Sequence, residues 1–164
     1  MLMQNVFNNL SDFNDLLQPK YPLIGLDLGT KTIGIAISDL LLKVANPLLT
    51  LKRKKLYLDL EVILNIISER SVCGIVLGLP KNMNGSEGPR AQSTRSFAHN
   101  LSKVTNRPIA FWDERLSTVA AEKALLEADT TRKRRAELID SVAAAYILQG
   151  ALDRLVYIKD QNDG

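Results

Sequence analysis

Sulfur and imidazole ligands are nearly absent from this chain. Its 164 residues include one cysteine, Cys73, and one histidine, His99. Zinc sites in proteins draw on several cysteine and histidine side chains, so this composition excludes a zinc centre of the usual kind. A single cysteine cannot form a disulfide within the chain, and a lone thiol in an apolar run is typical of a buried structural residue in a reducing compartment. We therefore expect a cytoplasmic protein in which Cys73 has no catalytic role.

Long apolar stretches are also missing. No run of about 18 apolar residues occurs, so the sequence predicts no membrane-spanning helix and no membrane partner. Residues 1–20 lack the basic start and apolar centre of a signal peptide, and they are rich in Asn and Asp. We expect them to form a flexible extension with one or two helical turns, although the pattern fits a packed helix equally well. Residues 21–160 have the length and apolar content of a single domain.

Positive charge is in slight excess and is concentrated in two places. The net charge is +3, and runs of basic residues occur at positions 52–55 (KRKK) and 132–135 (RKRR). Such runs are most often solvated surface, but they also bind phosphate groups. The charge alone does not choose between those two roles.

The apolar pattern predicts a five-stranded mixed sheet flanked by helices. Strands are expected at residues 23–28, 32–38, 46–52, 74–79 and 109–113, and helices at residues 56–70, 90–104, 117–127 and 136–151. A short apolar piece at residues 155–158 is expected to be a last strand. An antiparallel start followed by parallel strand–helix units is the α/β arrangement of ribonuclease H-like domains. Fold alone does not establish function.

A carboxylate lies inside the first predicted strand. Asp27 belongs to the apolar segment LIGLDL, and strand alternation puts it on the same face as Leu23 and Gly25. A buried carboxylate without a counter-charge is costly. We therefore expect a cation or a chemical role at Asp27.

Other acidic residues could join Asp27. Asp113 and Glu114 follow the fifth strand, and only one of them is expected to face any given site, because alternate side chains point to opposite faces. Asp140 shares a helical face with small and apolar residues, namely Ala136, Ala143, Ala144 and Ile147. Converging carboxylates repel one another and need cations, and oxygen-only ligands favour Mg²⁺ or Mn²⁺. Two such ions can support phosphodiester hydrolysis, with the basic clusters holding the nucleic-acid backbone.

Four sequence blocks, taken in order, resemble a known bacterial family. The blocks GLDLGTKTIGIAISD, GLPKNMNGSEG, DERLST and IDSVAAAYILQ are similar to those of the YqgF/RuvX family, and the resemblance extends over residues 23–151. It implies a ribonuclease H-like fold related to Holliday-junction resolvases. It also implies a nuclease that matures the 5′ end of the 16S ribosomal RNA precursor, with Asp27, Glu114 and Asp140 as the catalytic, metal-binding set.

The resemblance also indicates which residues accompany that set. Glu114 is favoured over Asp113 because its longer side chain reaches farther from the strand end, but the residues themselves leave this choice open. The loop block containing GLP and NG at residues 78–85 is expected at the carboxyl end of a strand, where open α/β sheets bind ligands. The candidate phosphate contacts are Lys31, Arg90, Arg115 and Arg134. The expected partners are structured precursor ribosomal RNA or branched DNA and ribosomal particles, with the chain a monomer or a weak homodimer.

Other functions stay open at this point. A Holliday-junction resolvase acting in DNA recombination and repair would use the same acidic set, as a symmetric dimer. A non-catalytic nucleic-acid-binding factor would keep the fold, but it has no use for three inward carboxylates. The segment DLGT also resembles a phosphate loop of actin-like and sugar-kinase ATPases, which need two such domains.

Overall fold

The computed structural model describes residues 5–116 and 132–163, and the side chains within those ranges except those of residues 132–138 and 163. Its sheet contains the five predicted strands and one more. The strands are β1 (Val6–Phe7), β2 (Leu23–Leu28), β3 (Thr32–Ser38), β4 (Ala45–Lys52), β5 (Gly74–Leu79) and β6 (Ile109–Asp113). Their order is β1-β6-β5-β2-β3-β4. Strands β2, β3 and β4 pair antiparallel, and the other pairs are parallel, as the mixed pattern predicted.

Helices cover both faces of this sheet. They are α1 (Leu10–Asn14), α2 (Leu56–Glu69), α3 (Pro89–Ser102) and α4 (Arg132–Asp163), and a single 3₁₀ turn, Glu114–Leu116, follows β6. The helix predicted at residues 117–127 lies outside the described residues. The strand predicted at residues 155–158 is wrong, because this piece belongs to α4. Leu152, Leu155 and Ile158 are buried at helical spacing along one face of α4, and a short apolar run does not distinguish that arrangement from a strand.

Two apolar cores form on the two sides of the sheet. Alternate strand residues such as Ile24 and Leu26 pack with α2 and α3, whereas Leu23 and Val76 pack with α1 and α4. Because both faces are covered, β5 is buried along its whole length. Asp27 has the parity of Leu23 and Gly25, as strand alternation predicted, and this face of the sheet packs against α4.

The N-terminal segment packs on this domain over the residues described. Strand β1 pairs parallel to β6, and the backbone N–H of Ile109 donates to the carbonyl of Asn5 at 2.7 Å. Phe13 is fully buried, and the Asn9 side chain caps α1 by accepting from the Asp12 N–H. Of the two alternatives that the sequence left for this segment, a flexible extension and a packed helix, residues 10–14 form the packed helix. Apolar residues at helical spacing, Leu10 and Phe13, are enough to dock a short helix.

None of the helices in the described part of the chain is long and apolar enough to cross a bilayer.

Candidate active site

Asp27 rises from the middle of the sheet between two glycines. It pairs with Gly34 of β3, and it comes one residue after the Leu26–Leu77 pair of β2 and β5, which puts Gly78 on its other side. Residues opposite one another on neighbouring strands share a face. The Asp27 side chain, which is half-buried, therefore has no side chain beside it on either adjacent strand at this level.

Helix α4 brings Asp140 to one side of Asp27. A Cβ atom on Gly34 would collide with the Asp140 backbone carbonyl, so the missing side chain is what lets α4 lie directly on β3. The Thr32 hydroxyl, two residues before Gly34, donates a hydrogen bond of 2.7 Å to Asp140 Oδ2. The Asp140 carboxylate is thereby oriented toward the sheet beside Asp27.

Glu114 reaches the same face from the other side. Its Oε1 lies 2.6 Å from the position that a Cβ atom of Gly78 would occupy, and Ile147 of α4 lies equally close to that position. The glutamate side chain therefore takes up the space above Gly78 that a larger residue would fill. As a result, the Glu114 carboxylate lies over β5, on the α4 side of the sheet.

Asp113, the alternative to Glu114, has a different environment. Trp112 packs against α4, since a Cβ on Gly150 would lie 2.8 Å from its indole ring, and strand alternation turns Asp113 to the opposite face. There Asp113 forms an ion pair of 2.6 Å with Arg115. Hydrogen bonds from the Arg115 side chain hold the pKa of Asp113 below its ordinary value of 3.8. The geometry thus separates two adjacent acids that the sequence could not tell apart.

The carboxylates of Glu114, Asp27 and Asp140 are spread over three neighbouring strands. Adjacent strands are about 4.8 Å apart, so the row extends over roughly 10 Å. Within residues 5–116 and 132–163, no three His, Cys, Asp or Glu side chains cluster closely enough to hold one metal ion. The all-oxygen donors nevertheless fit Mg²⁺ or Mn²⁺ shared between neighbouring carboxylates.

The predicted phosphate contacts have different environments. Arg90 is exposed, and its guanidinium donates a hydrogen bond of 3.2 Å to the carbonyl of Leu28, the residue that follows Asp27 in β2. Lys31 is exposed in the β2–β3 turn. Arg115 is engaged by Asp113 and by the carbonyls of residues 82 and 83, so it holds a loop. The side chain of Arg134 lies outside the described part of the structure.

The loop at residues 80–89 lies beside the acidic row and is held in a defined shape. The Asn84 side chain accepts from the Ser86 backbone and hydroxyl, and Gly85 adopts a φ of +87°, a conformation that glycine favours. Glu87 forms an ion pair of 2.6 Å with Arg95 of α3. The loop follows the carboxyl end of β5, as its sequence block predicted.

Residues that contribute to the site also include some that the sequence did not single out. Thr32 and Gly34 lie on the α4 face in contact with Asp140, and Lys52, from the basic run already noted at 52–55, pairs with Thr32 on the same face. The only local sequence signal that could have identified Thr32 and Gly34 is the alternation of small residues at these positions of β3. Their role depends on the contact with α4, more than 100 residues away along the chain.

Comparison with known proteins identifies relatives over most of this chain. The family described as "RuvX: Holliday junction resolvase" matches residues 22–154. A Ruegeria pomeroyi protein named "Putative pre-16S rRNA nuclease" is 65% identical over 150 residues, which cover 92% of this chain and 97% of that protein. A Rhodobacter capsulatus protein of the same name is 62% identical over 149 residues, covering 91% and 94%. The resemblance drawn from the four sequence blocks is confirmed.

Solved structures with much lower identity show the same fold. Thermus thermophilus RuvC, determined in complex with a Holliday junction substrate, matches with a TM-score of 0.51 and 12% identity, over 82% of this chain and 96% of that chain. The yeast mitochondrial Holliday junction resolvase Ydc2 matches with a TM-score of 0.53 and 12% identity, over 94% and 87%. The predicted ribonuclease H-like fold is confirmed by these matches.

Proposed function

Because the chain belongs to the RuvX family, we propose that it is a nuclease that cleaves phosphodiester bonds at the 5′ end of the 16S ribosomal RNA precursor. Its substrate would be structured RNA, alone or within an assembling ribosomal particle in the cytoplasm. The observation that carries the proposal is the row of Glu114, Asp27 and Asp140 on one face of the sheet, beside two glycines. A protein that only binds phosphates gains nothing from such a row, because like charges repel the ligand.

We assign the metal-binding role to Asp27, Glu114 and Asp140. Divalent ions held there would supply a Lewis acid and a hydroxide source at neutral pH. Thr32 keeps the Asp140 carboxylate in one orientation through its hydrogen bond. Glycine at positions 34 and 78 lets α4 and the Glu114 side chain approach the sheet closely, which brings the carboxylates to one face. Arg90 and Lys31 would hold its non-bridging oxygens at the carboxyl end of β2.

A second candidate function is the resolution of branched DNA. The matching family is described by that activity, and the fold is shared with two Holliday junction resolvases. A resolvase has to cut two strands symmetrically, which requires a dimer with two such sites. The substrate assay below distinguishes the two functions.

The test compares wild-type protein with Asp27→Asn on a precursor 16S RNA fragment and on a four-way DNA junction. Each reaction contains Mg²⁺ or Mn²⁺. The matched control is Asp160→Asn, an exposed carboxylate on α4 about 30 Å along the helix from Asp140. We expect RNA cleavage by the wild type and the control, and at least a 100-fold loss in Asp27→Asn with an unchanged circular dichroism spectrum.

Other results would change the proposal. Symmetric cleavage of the junction in place of the RNA would make the resolvase function the better one. Full metal-dependent cleavage by Asp27→Asn would contradict the assignment of the site. Tight binding of RNA without any cleavage would favour a non-catalytic factor.

A further inference from the structure

The last residue of β4 brings a lysine to the row of carboxylates. Lys52 pairs with Thr32 in the β3–β4 register, and Thr32 in turn donates its hydrogen bond to Asp140. Directly opposed residues on antiparallel strands share a face, with Cβ atoms about 5 Å apart. Lys52 is exposed and β4 is the edge strand of the sheet. Its side chain therefore leaves β4 on the α4 side of the sheet, the same face as that of Thr32.

Arg53, the next residue, forms hydrogen bonds and an ion pair within the protein. Its backbone N–H donates to the Lys31 carbonyl and its guanidinium to the Gly29 carbonyl, both at 2.9 Å. The same guanidinium lies 4.0 Å from the buried carboxylate of Asp59. Arg53 thus connects the β2–β3 turn to the start of α2, and its charge is offset by Asp59.

The remaining basic residues of the 52–55 cluster point to solvent. Lys52, Lys54 and Lys55 are exposed, and none of them forms an ion pair with a carboxylate in the parts of the chain that are described. Because Arg53 joins their segment to the β2–β3 turn, they continue the surface that carries Lys31. Uncompensated positive charge next to a row of carboxylates is suited to a phosphate chain that crosses both.

We propose that Lys52, Lys54 and Lys55 bind the phosphodiester backbone of the substrate on one side of the bond that is cut. This inference rests on the proposed nuclease function and adds the direction in which the substrate leaves the site, over the β4 edge. Lysines act as flexible point charges, so the contact is independent of base sequence. Each neutralised phosphate releases a counterion, which makes the contact visible in the salt dependence of binding.

The test measures that dependence with a variant in which all three lysines are changed to Gln. The control, Lys20→Gln, Lys103→Gln and Lys159→Gln combined, removes the same charge at other exposed positions. Binding of a labelled precursor RNA fragment is followed by fluorescence anisotropy without divalent ions at 50–300 mM KCl. We expect the slope of log Kd against log salt to fall by about 2 in the first variant, since each contact contributes roughly 0.7 on single strands. The control slope should stay at the wild-type value.

A single-residue comparison tests the position of Lys52. We expect Lys52→Gln to raise the KM for cleavage about 5-fold and Lys52→Arg to restore it, because arginine keeps the charge. Equal salt slopes in the two triple variants would overturn the inference while leaving the nuclease function intact. Wild-type protein that binds RNA with the expected slopes but never cleaves it would overturn the nuclease function alone.

Discussion

At the scale of the residue, Asp27 shows how a carboxylate is accommodated in a strand whose faces are both covered. The two flanking strands present glycines, Gly34 and Gly78, at its level, and its side chain stays half-buried. It therefore avoids the full desolvation that a carboxylate would meet in an apolar core. This arrangement requires glycine on both flanking strands, because a larger residue at Gly34 would displace α4 and one at Gly78 would displace Glu114.

The Thr32 hydroxyl provides the clearest prediction at this scale. Replacing Thr32 by Val keeps its shape and removes the hydrogen bond of 2.7 Å to Asp140. A hydrogen bond to a charged group contributes about 1.5–3 kcal/mol, and part of that serves to orient the carboxylate. We expect calorimetry with Mn²⁺ to show about 5- to 10-fold weaker binding in Thr32→Val, with Thr32→Ser close to wild type. Tighter binding in Thr32→Val would mean that the hydroxyl competes with the ion.

At the scale of the element, the loop at residues 80–89 is held from two sides. Arg115 donates to the carbonyls of residues 82 and 83 while it pairs with Asp113, and Arg95 pairs with Glu87 at the other end of the loop. Arg95 also donates to the Asn8 side chain and stacks over Phe111 at 4.8 Å. The loop is thus connected to β6, α3 and the N-terminal segment.

This arrangement predicts a pH-dependent contribution from Asp113. Arg115 lowers the pKa of Asp113 in the folded protein, so the stabilisation is present above its ordinary pKa of 3.8 and is lost as pH falls through the lower folded value. We expect Asp113→Asn to unfold more easily than wild type in urea at pH 7, and the difference to shrink as the pH falls below 3.8. A difference that stays constant over this range would contradict the ion pair.

At the scale of the whole molecule, the N-terminal segment extends the sheet and closes one end of the α4-side core. Strand β1 adds to the edge at β6, and α1 contacts α4 through its apolar side chains. Phe13 is fully buried, whereas Leu16, three residues later, is 52% exposed. The composition of residues 1–20 conceals this, because two buried side chains are enough to dock the segment.

Phe13 and Leu16 provide a matched test of whether the N-terminal segment packs on the domain. Phe13→Ala is expected to lower the free energy of unfolding by about 3–5 kcal/mol, the usual cost of emptying a buried aromatic site. Leu16→Ala should change it by less than about 1 kcal/mol, because an exposed side chain loses little on truncation. Chemical unfolding of both variants measures this. Equal effects of the two substitutions would mean that the segment does not pack in solution.

Much of the fold followed from local sequence. The predicted bounds are those of β2, β3, β5 and β6. A strand covered on both faces has a short, continuous apolar sequence bounded by turn residues, which makes its ends recognisable. The wrong prediction of a strand at residues 155–158 has the same cause, since a short apolar run occurs both in a buried strand and on the buried face of a helix. Strand β1 has two residues, too few for any periodic signal.

By itself, the sequence determined the strands and the presence of unusual carboxylates, because these depend on neighbours a few residues apart. The family blocks added the likeness to known nucleases. Only the tertiary structure decided that Glu114 and not Asp113 lies over Gly78, that Thr32 orients Asp140, and that Lys52 lies opposite Thr32 on the α4 face. Those relations depend on strand register and on the close approach of α4 to β3, which join residues more than 100 positions apart.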